Sequence, residues 1–191
     1  MAAVRLHRLK EEYSDRIAIV WKSFPLIAEG TKREFTPYIA KHWKRAGEEE
    51  PSIKFTPWPE KSPMPSASMP GLVANKCAQA QGEVAFENYH LAVFRAYFEQ
   101  GRDISEKAVL LSLAEENGLD KDRFAADYEN EAIRLEILTE YQGARSAGDF
   151  SGIPTAFIGG RFMLEGAVPV DLYRRGVELI LHGEQKEENE S

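Results

Sequence analysis

The residues of this sequence that could perform chemistry are few and scattered. Cys77 is the one cysteine, and it lies among small residues in ANKCAQAQG, which favours a buried packing residue over a reactive thiol. The four histidines form no spacing typical of zinc ligands, and no G-x-S-x-G motif is present. We therefore predict no metal site and no serine-type catalytic triad. The histidines are His7, His42, His90 and His182.

The stretch SGIPTAFIGGRFMLEG, residues 151–166, has the most informative spacing in the sequence. Two short apolar runs flank Gly159-Gly160, a pair suited to a two-residue turn that requires positive φ at both positions. Pro154 opens the first run, and a proline at the start of a strand is ordinarily trans. The stretch predicts a β-hairpin over residues 155–164.

The elements that must position this hairpin begin with a helix and a strand. Apolar residues at helical spacing predict a helix over residues 2–13, and the β-branched and aromatic run IAIVWKSF predicts a strand over residues 17–24. A short helix is predicted over residues 35–46, with Pro37 in its first turn, where a missing N–H costs little. Five prolines between residues 51 and 65 then predict an irregular loop.

Residues 70–142 are predicted to be helical in several pieces. Gly101 and Gly118 are typical of helix ends. The run from Asp103 to Glu106 indicates a capping box, and Asp120 is predicted to cap a longer helix. One face of that longer helix is predicted to carry Phe124, Tyr128, Ala132, Leu135 and Leu138.

Composition and charge argue against several classes of function. A net charge of -7 disfavours a nucleic-acid surface. The first residues lack the apolar run of a signal peptide, and no stretch approaches the roughly 18 apolar residues of a membrane span. A single cysteine cannot close an intrachain disulfide, which fits a reducing compartment. We expect a cytoplasmic protein that binds neither nucleic acid nor membrane.

The sequence resembles the DsbA-like subgroup of the thioredoxin superfamily, which has cytoplasmic relatives similar to polyketide-associated oxidoreductases and 2-hydroxychromene-2-carboxylate isomerases. The cis-proline segment of that family is similar to the run Gly152-Ile153-Pro154-Thr155, which leads into two predicted strands around a tight turn. The resemblance implies an α/β, thioredoxin-like fold with an all-helical insertion and a cis Ile153–Pro154 bond. The matching stretches are RLHRLKEEY with IVWKSFPL, FENYHLAVFRAYFEQGRDIS with LAEENGLD, and SGIPTAFIGGRFMLEGAVP.

The sequence departs from the family at its N-terminus. Family members begin with a strand and a Cys-x-x-Cys turn at the start of the first helix, where the helix N-terminus favours the thiolate. This sequence contains neither, and the resemblance places the missing strand between residues 17–22 and residues 155–158. We therefore expect the chain to be a truncated form of a longer protein. An in-frame Cys-Pro-x-Cys upstream of Met1 in the coding DNA would support this, and an in-frame stop there would contradict it.

The resemblance implies a binding site at Ile153 and Pro154. Ile153 would supply main-chain hydrogen bonds, and Pro154 would help to hold a thiol or disulfide peptide, or glutathione, beside a redox cysteine. His90 is a candidate for lining this pocket, and its alternative is a histidine at the edge of the core bonded to a backbone carbonyl. The resemblance implies no cofactor, with glutathione as a possible substrate. Independently of the resemblance, the single cysteine Cys77 could form a mixed disulfide with glutathione. The sequence does not indicate an oligomeric state.

Three functions follow from these residues and the resemblance. The first is a DsbA-family thiol-disulfide oxidoreductase-like protein whose redox cysteines are absent from this chain. The alternatives are a glutathione-dependent isomerase or transferase of the kappa-like group, in which serine replaces the reactive cysteine, and a thioredoxin-like binding module without catalysis. The predicted domains are a thioredoxin-like domain formed by residues 1–66 and 149–191 and a helical insertion formed by residues 67–148.

Overall fold

A computed structural model of the chain describes residues 1–60, 62–148 and 151–189. It is mostly helical, with one small sheet. Within these residues, no helix is both long enough and apolar enough to cross a membrane. The elements, in chain order, are α1 Ala2–Tyr13, a 3-10 turn Ser14–Arg16, α2 Pro37–Glu49, α3 Met69–Gln79, α4 Glu83–Phe98, α5 Lys107–Glu116, α6 Lys121–Tyr128, α7 Glu131–Ser146, β1 Thr155–Ile158, β2 Phe162–Glu165 and α8 Val170–Asn189.

The chain forms two compact units. The terminal unit comprises Met1–Trp21 with Ala147–Ser191, and the central unit comprises Lys22–Ser146. Residues 22–66 thus belong to the same compact unit as the helices α3 to α7. The domain boundaries predicted from the sequence stay a prediction, and residues 149 and 191, which limit one predicted segment, lie outside the described residues.

The terminal unit is built on the predicted hairpin. β1 and β2 pair in antiparallel fashion, with Ala156 opposite Leu164 and Phe157 opposite Met163. Because side chains alternate across a strand, Ala156 and Leu164 face α1 and α8, whereas Phe157 and Met163 lie on the other face and are exposed. The buried residues between the hairpin and the two helices are Leu9, Tyr13, Tyr173 and Val177.

The hairpin turn follows the sequence prediction. Gly159 and Gly160 have φ of 54° and 65°, and the Arg161 N–H donates to the Ile158 carbonyl at 3.1 Å. Both central positions thus require the left-handed region that glycine enters without a steric penalty.

The central unit has its own apolar core, formed where α3 packs against α4, α6 and α7. A second cluster, of aromatic rings, joins α2 to the C-terminal end of α4, with the Trp43 ring edge-on to Tyr97 at 5.4 Å and to Phe98 at 5.1 Å. The fully buried members of the core include Val73, Ala74, Cys77, Ala78, Tyr89, Ala96, Leu110, Ala114, Phe124 and Ile137.

A buried ion pair connects α3 to α7 in the central unit. The Lys76 ammonium lies 2.7 Å from a Glu140 carboxylate oxygen and 2.6 Å from Glu136, and the side chains of Lys76 and Glu140 are only 9% and 7% exposed. Glu140 also accepts from the Ser23 N–H at 2.8 Å and from the Lys22 ammonium at 3.1 Å. The Glu140 carboxylate, on α7, therefore connects α7 both to α3 and to the first two residues of the central unit.

The strand predicted over residues 17–24 is wrong. The backbone is extended at Ile17, with φ −134° and ψ 149°, but none of these residues belongs to a strand. A strand requires a partner that satisfies its donors and acceptors, and within the described residues the sheet consists of β1 and β2 alone. The Ser23 N–H instead donates to the Glu140 carboxylate, and Val20 is 71% exposed.

The long helix predicted after Asp120 is divided in two. Asp120 caps α6 as predicted, accepting from the Asp122 and Arg123 N–H groups. Asn130 then accepts from the Ala132 N–H at 3.0 Å, in the first turn of the separate helix α7. The predicted apolar face is therefore wrong beyond Tyr128: Ile137 is buried, whereas Leu135 and Leu138 are 63% and 41% exposed.

The predicted capping box at residues 103–106 is also wrong. The Asp103 carboxylate accepts from the Ser105 N–H at 2.9 Å and from its hydroxyl, and α5 begins only at Lys107. An aspartate that bonds the backbone two residues ahead forms a local turn, and this turn competes with capping.

We expect Gly101→Ala to destabilise the protein by about 2 kcal/mol, roughly twice the effect of Gly118→Ala. Both glycines have positive φ, 63° and 73°, so each alanine meets backbone strain. At Gly101 the added Cβ would also clash with the Pro59 ring, whereas at Gly118 no described atom lies within 4 Å of the added Cβ. Urea unfolding of both variants measures the difference, and equal losses would contradict the steric argument.

Candidate functional site

Cys77 is a packing residue in the core of the central unit, as the sequence predicts. Its side chain is fully buried on α3. Burial, with a smaller effect of the nearby Asp127, raises the pKa of the Cys77 thiol to about 12. Because the thiolate is the nucleophile in disulfide exchange, this cysteine is unsuited to that chemistry at neutral pH.

His90 lies on α4 and is held by a side chain of α3. The Asn75 side-chain N–H donates to the Gly71 carbonyl at 2.8 Å, which turns the amide oxygen toward the imidazole. His90 Nδ1 lies 2.9 Å from that oxygen and therefore carries the proton of this bond. The partner of Nδ1 is thus the side-chain amide of Asn75 and not a backbone carbonyl.

The His90 ring is enclosed by aromatic residues of its own helix. Its centroid lies 5.1 Å from that of Phe86, in a stacked arrangement, and 4.7 Å from that of Phe94, edge-on. Burial lowers the pKa of His90 to about 4, so the imidazole is neutral at physiological pH. His90 belongs to the central unit and Ile153 and Pro154 to the terminal unit, so its role in lining a pocket stays a prediction.

The segment Ser151–Pro154 is a surface loop that enters β1, and we call it the proline loop. Its Ile153–Pro154 peptide bond is cis, and Ile153 is 39% exposed. The Thr155 hydroxyl donates to the Gly152 carbonyl at 2.6 Å, and the Gly166 N–H donates to the Pro154 carbonyl at 2.7 Å. The residues on both sides of Ile153 are thus fixed to the hairpin.

The carbonyls of Gly152 and Pro154 accept hydrogen bonds, and the main-chain groups of Ile153 between them differ in this respect. In the part of the chain that the structure describes, neither its N–H nor its C=O forms a hydrogen bond. A donor and an acceptor on one residue, held at a fixed position on an exposed loop, match the pattern with which an extended peptide backbone pairs.

The end of the hairpin that faces the proline loop is braced by α1 and α8. The Arg5 guanidinium, only 7% exposed, donates to the carbonyls of Ala167 and Val168 at 2.5 Å and 3.0 Å. The Tyr173 hydroxyl donates to the Gly166 carbonyl at 3.2 Å. Arg5 belongs to no motif and is not among the site residues predicted from the sequence, although a cation inside the apolar stripe of α1 is a signal for such a buried bond.

The described ranges contain no group of three His, Cys, Asp or Glu side chains arranged to hold a metal ion. The candidate site consists of an exposed main-chain edge at Ile153, next to residues that side-chain hydrogen bonds hold in place.

The family model of the DSBA-like thioredoxin domain matches residues 1–178 of the sequence. This chain belongs to the DSBA-like thioredoxin domain family. The uncharacterised protein YwbO of Bacillus subtilis (strain 168) is 28% identical over an alignment of 107 residues, and the alignment covers 50% of this chain and 53% of that protein. The chain thus spans about half the length of the curated relative that it matches.

Solved structures share the fold of this DSBA-like chain. A crystal structure of a protein disulfide isomerase candidate from Nitrosomonas europaea has a TM-score of 0.74 and 18% identity, covering 95% of this chain and 90% of that one. The cytosolic disulfide reductase DsbM from Pseudomonas aeruginosa has a TM-score of 0.72 and 20% identity, covering 95% and 92%. The predicted fold class, a thioredoxin-like α/β fold with a helical insertion, is confirmed.

Proposed function

We propose that this chain binds thiol or disulfide peptides, or glutathione, at the proline loop, as the substrate-binding part of a thiol-disulfide oxidoreductase-like protein. The family supports this class of chemistry. The observation that carries the proposal is the pair of main-chain groups of Ile153, which form no hydrogen bond within the described residues while both neighbours are fixed. A ligand backbone would donate to the Ile153 carbonyl and accept from its N–H.

The proposal assigns binding, and not the redox step, to the described residues. Cys77 is the single cysteine of the sequence, and its buried thiol has a pKa near 12. A cytoplasmic location is part of the proposal, since a protein with one cysteine requires no oxidising compartment. Membership in the subgroup of polyketide-associated oxidoreductases and 2-hydroxychromene-2-carboxylate isomerases likewise remains a proposal.

Titration of the ¹⁵N-labelled protein with reduced glutathione, and separately with a disulfide-linked peptide, tests this binding. We expect the amide signals of Gly152, Ile153 and Thr155 to shift in a saturable manner with either ligand. Ile153→Ala keeps both main-chain groups and should preserve these shifts, and Val84→Ala, at an exposed apolar residue of the central unit, serves as the control. Titration curves without shifts at residues 152–155 would overturn the proposal.

A binding module without catalysis is the second candidate, and the burial of Cys77 favours it. The 191-residue chain should then bind either ligand without reducing insulin. Reduction of insulin by dithiothreitol that the chain accelerates well above the uncatalysed rate would exclude this candidate.

A further inference from the structure

Glu165, the last residue of β2, forms the side-chain anchor of the proline loop. One of its carboxylate oxygens accepts from the Ser151 hydroxyl at 2.7 Å, and both oxygens lie 3.3 Å from the Ser151 N–H. Bonds to an ionised carboxylate are roughly twice as strong as bonds between neutral groups. Ser151 is thereby attached to β2 by its backbone and by its side chain.

The register of the hairpin explains why Glu165 reaches this loop. Glu165 lies directly opposite Thr155, the first residue of β1 after the loop. Thr155 bonds the Gly152 carbonyl, and Gly166, which follows Glu165, bonds the Pro154 carbonyl. Three adjoining positions of the hairpin therefore hold Ser151, Gly152 and Pro154. Within the described residues, Ile153 is the residue of the loop whose N–H and C=O both form no hydrogen bond.

The geometry points to Glu165 as a positioning residue for the ligand that binds Ile153. This inference rests on the proposed function of the loop. Glu165 acts through Ser151: it fixes the start of the loop before a ligand arrives, so that the Ile153 N–H and C=O are already oriented. Without it, binding would have to order the loop, and the entropy lost in ordering would weaken the affinity.

Binding of oxidised glutathione, measured by calorimetry, tests this role. We expect Glu165→Ala to weaken binding about tenfold, since it removes a charge-assisted hydrogen bond. Glu165→Gln keeps an acceptor for the Ser151 hydroxyl and should remain within about threefold of the wild type. Ser151→Ala loses the hydroxyl bond but keeps the N–H that bonds Glu165, so it should weaken binding by no more than Glu165→Ala does, and the double variant should be no weaker than Glu165→Ala. Glu11→Ala removes a carboxylate of the same unit that lies on α1, and should bind normally.

The order of the ligand-free loop gives an independent readout. From ¹⁵N relaxation we expect order parameters of about 0.85 for the Ser151 and Ile153 amides in the wild type and below about 0.6 in Glu165→Ala, with recovery in Glu165→Gln. Wild-type affinity in Glu165→Ala, or unchanged order, would overturn the role of Glu165 and leave the proposed function intact. If the wild type binds neither oxidised nor reduced glutathione nor the disulfide-linked peptide, the proposed function fails, and the role of Glu165 in binding fails with it.

Discussion

Replacing Lys76 with methionine is expected to lower the free energy of unfolding by about 3 to 5 kcal/mol, because it leaves the Glu140 carboxylate buried without its closest cation. Methionine keeps most of the apolar stem of lysine, so the loss reports the missing charge. Burial raises the pKa of Glu140, but the hydrogen bonds from Lys76, Ser23 and Lys22 outweigh it and hold that pKa below its usual value. Glu140 is therefore ionised at neutral pH in the folded protein.

Two further variants distinguish the energetic contribution of the buried Lys76–Glu140 pair from that of the exposed Glu136. Glu136 contacts the same ammonium but is 55% exposed, so Glu136→Gln should cost less than about 1 kcal/mol. The double variant Lys76→Met with Glu140→Leu removes both buried charges and should recover part of the stability lost in the single variant. Urea unfolding followed by circular dichroism gives the free energy of unfolding of the three variants. A loss of stability in Lys76→Met no larger than that in Glu136→Gln would contradict the expected cost of leaving Glu140 buried without Lys76.

Acidification is expected to destabilise the protein through His90, by about 2 kcal/mol at about pH 5 and by about 3 kcal/mol below about pH 4. The pKa of His90 is lowered by burial from 6.5 to about 4. Between these values the unfolded chain binds a proton that the folded chain does not. Stability is therefore complete above the unfolded pKa, falls as the pH drops toward the folded pKa, and changes little further below it.

Unfolding midpoints measured between about pH 7 and about pH 5 isolate this contribution, since carboxylates protonate mainly at lower pH. His90→Leu should lower stability at neutral pH, because Asn75 loses its partner, but should flatten the pH dependence over this range. His182→Leu, at an exposed position on α8, should leave the slope unchanged. A slope that persists in His90→Leu would assign the effect to other groups.

The parts of the fold that depend on neighbouring residues could be predicted from the sequence. Asp120 caps the helix that follows it, and Pro37 lies in the first turn of α2, where Thr36 accepts from the Ile39 N–H. The hairpin turn at Gly159-Gly160 has positive φ at both residues. Each of these features is decided by contacts within a few residues, which a single sequence contains.

The predictions that failed, and the site residues that were missed, depend on distant partners. The run at residues 17–24 has the composition of a strand, but a strand is formed by pairing and not by composition. A continuous helix from Asp120 would bury Leu135, but the turn around Asn130 interrupts it and leaves Leu135 exposed. Arg5 bonds carbonyls more than 160 residues away, and Lys76 bonds a carboxylate 64 positions later, so neither contact has a local pattern.

Glu140 also connects the beginning of the central unit to the helix that ends it. This unit begins at Lys22 and ends at Ser146. Glu140 lies less than two helical turns before Ser146, and its carboxylate bonds Lys22 and Ser23. The Phe24 ring packs edge-on against Tyr141 at 4.8 Å, next to this carboxylate. These contacts hold the first residues of the unit against α7, its last helix. We therefore expect insertion of residues 22–146 into a surface loop of another protein to cost little loop-closure entropy, because these contacts hold the two ends of the segment near each other.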